Sequence, residues 1–308
     1  VEPVAPVVRE WTPSWPVSLG RTLGALGRGR FDPTYRRTPD RALWRTMRSP
    51  DGPATQRLEV RDSVVVSTSW GPGAEWAADR LPRIVGADDN VSAFDPSHHP
   101  LVAQQWSRYG AGMRTPSTGV VLETLVQAIL EQRVTGLEAR RSWGWLLATY
   151  GEPAPGRPPE RMFVFPTPDA VSAVPSWAWH QAGVDGSRSA TILRAASYAG
   201  RLQQCADLPH AEARARMEAL PGVGEWTSAE VAARALGDPD AVSFGDFHVA
   251  KNVVYALTGE EDGTDARLAE LLAPWSGHRG RVQRLVEMTG ISRPAHGPRY
   301  SPLDFRGR

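Results

Sequence analysis

The sequence predicts an α+β protein: a small N-terminal domain built on an antiparallel sheet, then a mostly α-helical domain in which two helices meet at a Gly-rich hairpin. Three observations predict it. Apolar residues alternate within the first 70 positions, helical spacing takes over from Thr118, and LPGVG at 220–224 interrupts two helix-forming stretches. A chain of 308 residues can bury a sizeable core, and 41% hydrophobic with 22% charged residues are globular values. The domains expected are 1–107, an α+β unit; 108–290, two helical subdomains with a cleft between them; and 291–308, a tail rich in Pro, Gly and Arg.

Residues 1–16, rich in Pro and Val, are expected to run extended over the surface, and 17–30 to form a short amphipathic helix. Strands are predicted at 42–48, 54–60 and 63–70, the last two separated by a charged turn at Arg61-Asp62. A helix over 73–85 would turn Trp76, Leu81 and Ile84 inward. Val121, Leu122, Leu125, Val126, Ile129, Leu130 and Val134 then follow the spacing of a buried helix face. Residues 137–150 read as a second helix, and 151–168 as a Pro-rich connector too broken for one. Further helices are predicted at 169–182, 187–204, 208–219, 225–236, 247–258, 264–273 and 277–289. The tail from Ile291 is expected to be loosely ordered, and no internal repeat is visible.

A net charge of +1 makes no global case for a nucleic-acid partner. A local one exists: Arg279, Arg281 and Arg284 begin a basic run that continues through Arg293, Arg299, Arg306 and Arg308, the kind of patch that tracks phosphates. Lys251 is the only lysine. The single Cys205 excludes an intrachain disulfide and a four-cysteine iron–sulfur cluster. His98-His99 has no partner at ligand spacing, so no metal site is expected. No apolar run is long enough to span a membrane and no signal peptide opens the chain, which points to the cytoplasm.

The most informative stretch is 220–251, LPGVGEWTSAEVAARALGDPDAVSFGDFHVAK. Pro221 and Gly222 break one helix, Gly222 and Gly224 can take positive φ at little cost, and Glu225 suits the start of the next helix. Backbone amides of such a hairpin and the helix turn after it form a ready anion site, and Asp246 follows in an apolar setting. An ordinary αα-hairpin likes the same residues, and Asp246 would serve equally as an N-cap. A cap also holds the carboxylate still, so the two roles are compatible.

This stretch resembles the helix-hairpin-helix DNA glycosylase superfamily, and within it the 3-methyladenine DNA glycosylase II family. Residues 122–139 (LETLVQAILEQRVTGLEA) are similar to the helix that opens the family's DNA-binding half, and 183–196 (GVDGSRSATILRAA) to the helix start before its hairpin. The resemblance is strong over 119–257 and weak before 100 and after 290. It implies an enzyme of base-excision repair that flips an alkylated purine out of damaged duplex DNA and hydrolyses its N-glycosidic bond, acting as a monomer. Asp246 matches the catalytic aspartate, placed to stabilise positive charge on the sugar. Trp226 stands where strand-nicking relatives carry a Lys, implying no lyase step, and matches one aromatic wall of the base pocket. Core packing is the alternative for Trp226.

Two departures stand out. Glu230 replaces a family Tyr, either to hydrogen-bond a base or to face solvent, and no aromatic among residues 281–288 matches the family's second stacking Trp. Gln132 opens the segment Gln132-Arg133-Val134-Thr135, in which Arg133 matches the residue that fills the gap left by the flipped base. A plain phosphate contact or surface charge is the alternative for Arg133. Phosphate contacts are expected from Gly222, Val223 and Gly224, with Thr227, Ser187 and Ser189 adding to them, and DNA or solvent contacts from His248 and Lys251. The resemblance adds a monovalent cation on the hairpin carbonyls as an option and implies no other cofactor. Two other readings remain: a glycosylase for a different modified base, favoured by Glu230 and the missing Trp, and a non-catalytic lesion binder on the same scaffold.

Overall fold

In the computed structural model, residues 5–294 are described. The expectations for the tail beyond them, Arg299, Arg306 and Arg308 included, lie outside the described residues. Besides a short separate antiparallel pair (Glu152–Pro153 with Phe163–Val164), five strands are present among the described residues: β1 (Val7–Trp11), β2 (Tyr35–Arg37), β3 (Leu43–Ser49), β4 (Gly52–Arg61) and β5 (Val64–Trp70). They form one antiparallel sheet in the order β1-β5-β4-β3-β2. The pairing of Arg61 with Val64 leaves Asp62 and Ser63 as a two-residue turn, both at positive φ (48° and 71°), as a tight hairpin that follows strand twist requires. The central strands lie where they are predicted but do not alternate: β3 is buried at six of its seven positions, and β4 and β5 each carry three buried residues in a row. The edge strands escaped prediction: β2 is three residues long, and β1 shows mostly exposed positions, so neither carries a period.

Helix α1 (Leu19–Leu23) covers the sheet together with α2 (Ala74–Asp79) and α3 (Leu81–Ile84). The single helix predicted over 73–85 is broken at Arg80, where Pro82 withholds an amide two residues on. Leu19, Leu23, Leu43, Leu58, Val65, Leu81 and Ile84 form the core beneath, while Trp76 is only partly buried.

Then come α4 (Pro100–Tyr109), α5 (Val121–Glu131), α6 (Gly136–Tyr150), α7 (Pro168–Ser172), α8 (Ser176–Gln181), α9 (Gly186–Ser197), α10 (Ala199–Gln203), α11 (His210–Glu218), α12 (Glu225–Val231), α13 (Val249–Thr258), α14 (Asp265–Leu272) and α15 (Arg279–Glu287). The helix predicted over 169–182 divides before Pro175, and that over 187–204 divides at Tyr198. Helix α12 continues as a π turn over Ala232–Leu236 and stops at Gly237, φ 78°. Residues of α5 to α12 share one core, including Leu125, Ile129, Trp143, Phe165, Trp179, Ile192, Met217 and Val231. A second core joins Phe94, Val102 and Met113 to Val242, Val253, Leu268, Leu272, Val282 and Leu285. The helical part is therefore two lobes, and the chain leaves the first for the second between α12 and α13.

Candidate active site

The hairpin between α11 and α12 is tightly built. Gly222 has φ 95°, and a Cβ there would stand 2.2 Å from the Thr191 hydroxyl on α9, so only Gly fits. Gln132, at the end of α5, donates from Nε2 to the Gly222 carbonyl (3.0 Å) and to Thr227 Oγ1 (2.9 Å). Arg194 donates to the Pro221 carbonyl at 2.5 Å, and the Val223 N–H to the Leu220 carbonyl at 3.0 Å. The Gly224 carbonyl accepts from the Ser228 N–H at 3.0 Å. The amides of Gly222 and Gly224 have no partner among the described residues, and both glycines are exposed. Val223 and Thr227 are buried, so of the residues expected to meet phosphate here only the two glycines present themselves. At α9, Ser187 is exposed, whereas Ser189 is buried and donates to the Gly186 carbonyl. Asp185 caps this helix through the amides of Ser187 and Arg188.

Arg133 lies in the turn between α5 and α6, exposed and at φ 55°, a left-handed backbone that a bulky residue rarely adopts. A capping box of Thr135 and Glu138 fixes the helix start behind it. Gln132 and Arg133 thus divide the work: one anchors the hairpin, the other projects.

Asp246 sits in the crossing between the lobes, half-buried. Its Oδ1 accepts from the amides of His248 (2.8 Å) and Val249 (3.1 Å), the N-cap and first residue of α13, so the carboxylate is held against the start of that helix. Its Oδ2 accepts from the Trp226 indole N–H at 3.2 Å. Gly245, φ 84°, turns the loop and donates its amide to Asp265 at 2.9 Å. Beyond Asp246, Phe247 is 73% exposed, His248 stands edge-on to its ring, and Lys251 Nζ lies 4.2 Å over it. An open concavity of about 600 Å³ borders Trp226 and Gly245, between α12 and α14, but Asp246, Glu230 and Arg133 do not line it.

Glu230, one turn after Trp226, does not face solvent. Its side chain is mostly buried, ion-paired with Arg234, and accepts from Ser243 Oγ at 2.6 Å. Burial opposes its ionisation, yet Arg234, Ser243 and Arg28 outweigh that and hold its carboxyl below the usual carboxylate range. The chain of contacts goes on: the Ser243 N–H donates to Gln283 Oε1 at 3.0 Å, and Gln283 Nε2 to Glu287 Oε1 at 2.9 Å. Arg28, from the loop after α1, pairs with Glu131 at 3.0 Å on the same side. Sequence reasoning missed Ser243, Gln283, Glu287 and Arg28. The one signal for α15 was a pair of polar residues, Gln283 and Glu287, spaced one turn apart among Val282, Leu285 and Val286.

The start of the expected basic patch is a correction. Arg279 pairs with Asp240, Arg281 is fully buried against Asp89, and Arg284 donates to the carbonyls of Arg21, Thr22 and Arg114. These arginines tie elements together and leave no free cations to follow a phosphate strand. No group of His, Cys, Asp and Glu among the described residues could hold a metal ion, and no helix there is long and apolar enough to cross a membrane.

No protein-family model matches the chain. It is 36% identical over 178 residues to a probable bifunctional transcriptional activator/DNA repair enzyme AlkA, found in two strains of Mycobacterium tuberculosis. The match covers 55% of this chain and 34% of the relative, so the chain spans about a third of that protein's length. Among solved structures, a 3-methyladenine DNA glycosylase from Archaeoglobus fulgidus superposes with a TM-score of 0.72 at 15% identity, over 90% of this chain and 96% of that one. The 8-oxoguanine glycosylase/lyase of Clostridium acetobutylicum, bound to duplex DNA, gives 0.69 at 12% identity, over 92% and 99%. The α+β fold with its helical hairpin and the likeness in sequence agree: the chain has the fold of the helix-hairpin-helix DNA glycosylases and resembles their 3-methyladenine branch.

Proposed function

We propose that the protein is a monofunctional DNA glycosylase that flips alkylated purines out of damaged duplex DNA and excises them by hydrolysis, as a monomer in the cytoplasm. The observation that carries this reading is the carboxylate of Asp246, fixed by two helix amides and the Trp226 indole beside the exposed amides of the hairpin. In that place it faces the positive charge that grows on the sugar as the C1′–N bond breaks, while Trp226 offers a ring edge to the base. Gly222 and Gly224 would take a phosphate, Arg133 the gap in the stack, and His248 and Lys251 the flanking backbone.

Trp226 occupies the position that a Schiff-base lysine would need, and the only lysine is held over the Phe247 ring. Hydrolysis without strand nicking follows. The 36% identical relative is called a DNA repair enzyme, which supports the class of reaction. The test is release of free purine from methylated duplex DNA by wild type and Asp246→Asn, with borohydride added in parallel. Release by wild type, loss of about 10²-fold or more in the variant, and no borohydride-trapped adduct are expected. Equal release by both proteins removes Asp246 from the chemistry, and a trapped adduct ends the monofunctional reading. The second reading, a different modified base, is favoured by the polar chain from Arg234 to Glu287, where an alkylpurine pocket would carry a second aromatic wall.

A further inference from the structure

The exposed cations that α15 does not supply lie around the turn that carries Arg133, and an aromatic ring stands among them. Phe31, in the loop after α1, is 82% exposed, and the Arg30 guanidinium lies 5.5 Å from its ring centroid. Arg30, Arg133 and Arg140 are all exposed. The Arg140 side chain packs against both loops at once: a Cβ on Gly29 would stand 2.9 Å from its Cδ, and one on Gly136 3.3 Å from its Nη1. Residues 28–31 are therefore neighbours of the Arg133 turn.

The loop that carries Phe31 is fixed from inside. Asp32, 2% exposed, accepts from the Arg28 amide (2.6 Å), the Thr34 amide (2.8 Å) and hydroxyl (2.7 Å), and the Trp143 indole N–H on α6 (3.2 Å). Arg36 donates to the carbonyls of Arg30 and Asp32. A single exposed apolar side chain is ordinary on a protein surface. An aromatic ring held outward by a rigid loop among cations is the make-up of a surface that stacks on bases and meets phosphates.

The direction it faces follows from α5. Glu131 and Gln132, successive residues at its end, send their side chains to different partners: Glu131 to Arg28, Gln132 to the hairpin. Arg133 thus has the hairpin on one flank and residues 28–31 on the other. A hairpin that grips the strand carrying the lesion leaves the far flank to the complementary strand. We propose that Phe31 is a contact of the N-terminal domain with that strand, stacking on the base left without a partner when the lesion flips out. The inference rests on the glycosylase reading and deepens it, because it gives the sheet domain a share in DNA recognition. Arg133 fills the gap in the stack, Phe31 covers the face of the orphaned base, and Arg30 and Arg140 meet the phosphates beside it.

The experiment measures binding of wild type, Phe31→Ala and Phe31→Tyr to a duplex with a tetrahydrofuran abasic site opposite 2-aminopurine, and to the abasic strand alone. Phe31→Ala is expected to weaken duplex binding about tenfold and to leave single-strand binding within about twofold of wild type. The loss should be the same between about 50 and 200 mM salt, because stacking on a neutral ring releases no counterions. Stacking quenches 2-aminopurine, so its emission in the complex should be brighter with Phe31→Ala than with wild type, and Phe31→Tyr should match wild type in every arm. An unchanged thermal melt shows that each variant is folded. Duplex affinity equal to wild type, or an equal loss on duplex and single strand, overturns the contact and leaves the glycosylase reading standing. A contact that behaves as expected in a wild type that releases no purine from methylated DNA overturns the glycosylase reading alone. A wild type that does not bind the abasic duplex overturns both.

Discussion

At Asp246 three donors converge on one carboxylate; at Glu123, on the buried face of α5, the nearest is the Arg48 amide at 3.5 Å. Burial, with Asp32 adding to it and Arg45 opposing, pushes the Glu123 carboxyl up to about 7, and burial pushes Arg45 down to about 10. A carboxyl raised in the fold stabilises it fully below the unfolded value of 4.5 and loses that contribution as pH rises through about 7. Glu123→Gln should therefore gain on wild type by on the order of 2 kcal/mol between pH 5 and pH 8, read from urea melts at each pH. A constant gap between the two proteins would show that Glu123 does not titrate there. Of the residues around the candidate site, Asp246, Trp226, Gln132, Arg133, Gly222 and Gly224 could be singled out as candidates because they lie in one continuous stretch or a recognisable segment. Ser243, Gln283 and Glu287 could not, since only tertiary contact brings α15 to the loop after α12.

Elements were legible where a period ran long enough to be counted. Helices α5 and α6 and the three central strands fall within a few residues of their expected bounds. Breaks within helices were missed because helical spacing continues across Arg80, Pro175 and Tyr198 while the backbone does not. The hairpin is where one atom decides an element. Gly222→Ala forces a side chain into φ 95° and against Thr191, and should lower stability by about 1–3 kcal/mol. Gly224→Ala, at φ −108° and with open space around it, is the internal control and should cost much less. Equal losses in chemical denaturation would mean that the close approach to α9 is not what fixes the turn.

On the scale of the whole molecule, buried charge ties the two ends of the second lobe together. Arg281 on α15 meets Asp89, both without solvent contact, and Asp89 also accepts the Thr115 amide at 2.6 Å. Arg281→Met leaves Asp89 buried and uncompensated, and should cost about 3–5 kcal/mol in thermal unfolding, whereas the double change with Asp89→Asn should recover part of it. A single change as costly as the double one would show that the lost contacts are apolar. The same pair explains why the basic run misled: Asp89 is 192 positions away from Arg281, so sequence spacing carries no trace of its neutralisation.

The second core draws Phe94, Val102 and Met113 from before the hairpin lobe and Val282, Leu285 and Val286 from the far end of the described chain. The hairpin lobe is thus an insertion into its neighbour. During synthesis a ribosome delivers the sheet and the whole hairpin lobe while Val102 and Met113 still wait for α15. The crossing that carries Asp246 has one firm bank until those last turns emerge, so a nascent chain holds the hairpin lobe well before it holds both sides of that crossing.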